Sequence, residues 1–130
     1  MAYNNAVTNT AGQLSAITTT IAYTDTAAVT IGTIPANAQI VDINIDVTTA
    51  FNAATTNTVT VGKTGTAAAY VTATSVGTAG RASVATPGVY SAWAHVGTSD
   101  IDYATVTFSQ TGTAATAGAA RVTIVYKSFA

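Results

Sequence analysis

A chain of 130 residues with a net charge of −1 and no Cys is sized for one domain, and it excludes a disulfide framework and any thiolate metal site. Its four cations, Lys63, Arg81, Arg121 and Lys127, are scattered, and its five acids are all Asp. They make no phosphate-tracking stripe and no polybasic segment, which argues against nucleic-acid and anionic-membrane partners.

Residues 1–15 are polar and aperiodic and read as an N-terminal arm, with residues 16–130 as one domain. From Ala16 onward the pattern is short β-runs punctuated by Gly, Pro, Asn and Thr. Ala16–Tyr23 and Ala27–Ile34 are the first two predicted strands, and Pro35-Ala36-Asn37 makes a turn. Gln39–Ala50 is the longest strand. There Val41, Ile43, Ile45 and Val47 are expected on one face, and Asp42, Asn44, Asp46 and Thr48 on the other. Asn57–Val61, Tyr70–Val76, Ala82–Thr86, Val89–Val96, Asp100–Ser109 and Arg121–Ser128 complete the set. The Ala-rich stretches Thr66–Ala69 and Thr113–Ala120 hold too much Gly and Thr for helix and are expected to be loops. About eight strands at this spacing predict an all-β antiparallel sandwich or barrel.

The 48% hydrophobic fraction overstates the core. Ala contributes 28 residues to it, while Leu, Ile, Val and Phe together contribute only 27; Thr supplies another 28. Thr and Val suit a pleated, half-buried surface, and the near-zero charge separates this chain from disordered ones. One phrase occurs twice: Val59-Thr60-Val61 running into Thr64-Gly65-Thr66, and Val106-Thr107-Phe108 running into Thr111-Gly112-Thr113. It is open to two readings, two similar corners of one sandwich or low complexity.

No catalytic, cofactor or metal site is expected. His95 is the lone histidine, and Ser91, Asp100 and Asp102 near it do not make a triad, since no Gly-x-Ser-x-Gly elbow is present. Gly62-Lys63-Thr64 resembles the end of a phosphate-binding loop, but Asn57 stands where the leading Gly belongs and no helix pattern follows. Asp42 and Asp46 share a strand face, as do Asp100 and Asp102, so a hard cation could bind if the two pairs were neighbours; the plainer reading is two solvated strand faces. Trp93 with Tyr90, or Tyr70 with Tyr103, could stack on a sugar, yet a lean core also needs such large side chains for packing. Arg81 and Arg121 could each pair with an Asp across a subunit contact. No signal peptide is read at the start, which points to synthesis in a cytoplasm.

Two stretches carry a family resemblance: Ile34-Pro35-Ala36-Asn37-Ala38-Gln39-Ile40-Val41-Asp42 leading through Val47–Asn52 to Thr58–Gly62, and Ala117-Gly118-Ala119-Ala120-Arg121-Val122-Thr123-Ile124-Val125-Tyr126. They cover about a third of the chain. Both resemble small β-sandwich virion proteins of tailed phages, including capsid decoration or cement proteins. The resemblance implies a jelly-roll-like sandwich, a homotrimer, and a seat on the outer surface of a phage head, where it would bridge major capsid proteins. It transfers no catalytic residue. A fibre-tip, tail-associated or carbohydrate-binding module for host attachment is the alternative.

Overall fold

The computed structural model describes residues 14–36, 38–82 and 102–127. Among them are eight strands: β1 (Leu14–Ala22), β2 (Val29–Ile34), β3 (Gln39–Thr49), β4 (Thr56–Lys63), β5 (Thr66–Ser75), β6 (Gly80–Ala82), β7 (Asp102–Thr111) and β8 (Ala119–Lys127). Each is built mainly from Thr, Val, Ile and Ala, and the β-branched residues pack well on a pleated surface. The strands form two sheets, ordered β1-β8-β3-β6 and β2-β7-β4-β5. Every ladder is antiparallel. β4 pairs β5, β3 pairs β6, β2 pairs β7 and β1 pairs β8, so the chain is one long hairpin, folded at β4–β5 and rolled into two layers. That order is the jelly roll, and the all-β antiparallel sandwich expected from the strand spacing is the fold found.

The core lies between the layers. Across the first sheet Ile17, Ile124 and Ile43 form one inward row; across the second, Val29, Val106 and Val61 form another. Ile21, Ile34, Ile43, Ile45, Val47, Val59, Val61 and Ile124 are all essentially sealed from solvent. Each such side chain contributes roughly 1.5–3 kcal/mol by burial. At one end of the sandwich Phe51 and Phe108 meet with ring centroids 4.6 Å apart and planes tilted by 41°. Ile17 packs directly on the backbone of β2: a Cβ at Gly32 would come within 2.9 Å of its Cγ2.

Three expectations are corrected. Val41 does not share the inward face of β3. A bulge between Ile40 and Asp42 turns it out to 43% exposure, and Ile40 takes the buried place. Thr66–Ala69 is not a loop but the start of β5, because register shifts let these residues bow away from β4 while the ladder closes on both sides. β8 starts at Ala119, inside the stretch expected to be a loop. In addition, β1 takes in Leu14 and Ser15, which were assigned to the arm; residues 1–13 lie outside the described residues, as do Val89–Val96 and most of Ala82–Thr86.

The repeated phrase proves to be two corners of the sandwich. Its two copies lie side by side in the second sheet, antiparallel, with Thr60 opposite Thr107 at their centre. Gly65 and Gly112 hold φ of 87° and 83°, the left-handed conformation glycine adopts most readily, at opposite ends of that pair.

Candidate interaction surfaces

The outward face of the first sheet is a polar lattice. Asp42, Asn44 and Asp46 project from β3, as their alternation predicts. Arg121 Nη2 on β8 reaches Asp46 Oδ2 at 3.2 Å, and Arg81 Nη2 on β6 reaches Asp42 Oδ2 at 3.1 Å. Both arginines therefore find an acid within the chain. All four side chains are at least a third exposed, so solvent screens these pairs and each is worth less than about 1 kcal/mol. Beside them the Thr18 hydroxyl donates to the Val122 carbonyl at 3.1 Å. Its single proton is thus committed, and the Thr123 hydroxyl donates to Thr18 Oγ1 at 3.0 Å. Asn44 Oδ1, in the same row, is buried without a partner.

The strands that carry three of the four paired acids belong to different sheets. Asp42 and Asp46 stand on β3 in the first sheet, and Asp102 belongs to β7 in the second. Asp100 lies outside the described residues, and among those described no cluster of three or more metal-ligating side chains occurs.

The outward face of the second sheet is built from hydroxyls. Thr30, Thr60, Thr107 and Ser109 project from it, and Thr56 and Thr111 bond through their hydroxyls at 2.7 Å. β5 crosses this face. Gly62 points its α-carbon outward at the crossing, and a Cβ there would run into the Thr66 carbonyl and the Ala67 backbone. The crossing buries Thr105, opposite Gly62, to 7% exposure. An open depression of about 430 Å³ remains beside it, lined by Thr30, Lys63, Gly65, Ala67 and Thr105. Lys63 and Thr64 thus lead into a hairpin and a second strand, not the helix a phosphate loop requires.

This architecture has a solved counterpart. A chain in the structure of the cyanophage Pam1 capsid asymmetric unit superposes with a TM-score of 0.68. The likeness covers 92% of this chain and 88% of that one, at 21% sequence identity. No family model and no curated protein matches the sequence.

The aromatic candidates separate by burial. Tyr70 is a core residue at 2% exposure, so it offers no stacking platform, whereas Tyr103 is 55% exposed on β7. Trp93, Tyr90, His95 and Ser91 lie outside the described residues. Among the loops, amide side chains set the local geometry. Asn52 Oδ1 accepts from the Thr116 and Ala117 N–H groups at 2.8 and 3.0 Å, and Asn57 bonds both the N–H and the carbonyl of Ala53. Sequence reasoning assigned neither Asn this role: Asn57 follows the Asn habit of bonding backbone a few residues away, whereas Asn52 ties its loop to one 64 residues on.

Proposed function

We propose that this chain is a virion structural protein, a capsid decoration or cement protein on the outer surface of a phage head. In this reading it acts as a homotrimer, bridges neighbouring major capsid proteins, and has no catalytic step and no cofactor. It is made in the host cytoplasm and joins the head there. The observation that carries the reading is the shared jelly roll, over nine-tenths of the chain, with a chain of a phage capsid asymmetric unit. The sequence resemblance to decoration proteins supports it independently. So does the net charge of −1, which leaves little repulsion between crowded copies.

The mechanism is mechanical. A subunit seated across a seam adds buried area on both sides, about 800 Å² per partner in a stable contact. Many such seats act together, so modest single affinities suffice. Small Ala and Thr side chains lose little rotamer freedom on docking.

Sedimentation with expanded phage heads stripped of their decoration tests this. The purified chain is expected to pellet with heads at a fixed ratio and to raise their disruption temperature, and light scattering is expected to give a mass that is a multiple of three chains. A chain that stays in the supernatant but binds on a glycan array would overturn the reading in favour of host attachment.

A further inference from the structure

Among the described residues the two sheets have four edge strands: β1 and β6 in the first, β2 and β5 in the second. Exposed edges invite pairing with another chain, and proteins blunt them by shortness, charge, bulges or proline. Three of these edges are blunted. β6 carries the charge of Arg81 at its centre. β2 is bulged between Thr30 and Gly32, and β5 has two register shifts against β4. β1 is different: nine residues, LSAITTTIA, without a charge, a proline or a bulge, in unbroken register with β8.

The hydrogen bonds at its end fix which backbone groups face outward. Tyr23 N–H donates to the Gly118 carbonyl at 3.1 Å, on the β8 side. The antiparallel alternation then sends the N–H and C=O of Thr19 and Ile17 toward β8, and those of Ala16, Thr18 and Thr20 to the free edge. Ala22 confirms the phase. Its N–H points away from β8 and is taken by Asp25 Oδ2 at 2.7 Å. Asp25 thus caps one end of the edge, and among the described residues no strand pairs with its middle.

We propose that two copies of this chain pair edge to edge through β1, antiparallel about a two-fold axis at Thr18. Centring on Thr18 overlaps the whole strand. Thr18 then exchanges both N–H···O bonds with its own symmetry mate, and Ala16 and Thr20 do so with each other. The parity keeps faces matched. Ile17 meets Thr19 of the second copy on the inner side, and the Thr123–Thr18 hydroxyl chain continues into its own mirror on the outer side. With no charge on β1, the pairing brings no like charges together. The result is one sheet running through both sandwiches. The proposal goes beyond the capsid reading and does not rest on it, since a trimer built through other surfaces keeps this edge free.

The chain has no Cys, so single introduced thiols test it directly. Residues facing across such a ladder have Cα atoms about 5.5 Å apart, within disulfide reach. Under mild oxidation T18C is expected to cross-link to itself. A16C alone should not, because its own copy is about 13 Å away along the strand; A16C mixed with T20C should. Thr18→Pro removes the edge-facing N–H together with the hydroxyl bonded to Val122 and Thr123, whereas Thr18→Val removes the hydroxyl alone; Thr18→Val should therefore keep the light-scattering mass, and Thr18→Pro should cut it by about twofold or more. Equal cross-linking of T18C and A16C, or an unchanged mass for Thr18→Pro, overturns the proposal. Binding of Thr18→Pro to stripped heads separates its failure from that of the capsid reading.

Discussion

The two outward faces of the sandwich draw on the same residue, Thr, and use it differently. On the first sheet β8 pairs β1 without a register shift and shifts against β3 only near the two ends of that ladder, so the face between is flat and polar groups meet there: Thr18 with Thr123, Arg121 with Asp46. On the second sheet the ladders of β2 and β5 are broken, β5 bows across the surface, and Thr105 ends up buried. Position on the outward side of a strand therefore does not decide exposure here. The backbone path of the next strand does, and a single residue without a side chain, Gly62, lets it pass.

That contrast can be broken. The largest effect is expected from Gly62→Ala, which puts a methyl into the Thr66 and Ala67 backbone and should cost about 3 kcal/mol in urea unfolding. An unchanged midpoint would mean that the crossing of β5 is not fixed. Thr107 Oγ1 is buried without a partner on the self-covered face, so Thr107→Val should raise stability by about 1 kcal/mol. Thr123→Val, on the flat face, removes a hydroxyl that is bonded and should lower stability by about 0.5–1 kcal/mol. If both valine variants move in the same direction, the difference between the faces is lost. The smallest change is expected from Arg121→Ala, less than about 0.5 kcal/mol and vanishing in high salt, since that ion pair is exposed.

Much of the fold was legible in the strand spacing, and the reasons it was not fully legible are local. The alternation from Ile43 to Val47 identified the inward face of β3 because nothing interrupts the pleat there. It misplaced Val41 because a bulge shifts the phase by one residue without changing the pattern of residue types. Ala67 and Ala68 looked like loop because they are exposed strand residues without β-branching, held by a path that only Gly62 permits. The surfaces were less legible. That Arg121 and Arg81 would each need an Asp could be read; which Asp depended on β3 lying between β8 and β6. The open edge of β1 was invisible, because its phase rests on the bonds of Tyr23 and Ala22.

The pairing of β1 with β8 carries a mechanical consequence. Leu14 lies opposite Lys127, so the described fold begins and finishes at the same end of one ladder. Tension applied through both extremities would peel that ladder open one rung at a time, the weakest direction in which to load antiparallel strands. Tension spread over the faces or along β1 would instead load all its rungs together. A molecule with this geometry holds best when it is gripped by its flanks, and any tether fused to both extremities would turn the longest unbroken ladder among the described strands into a zip.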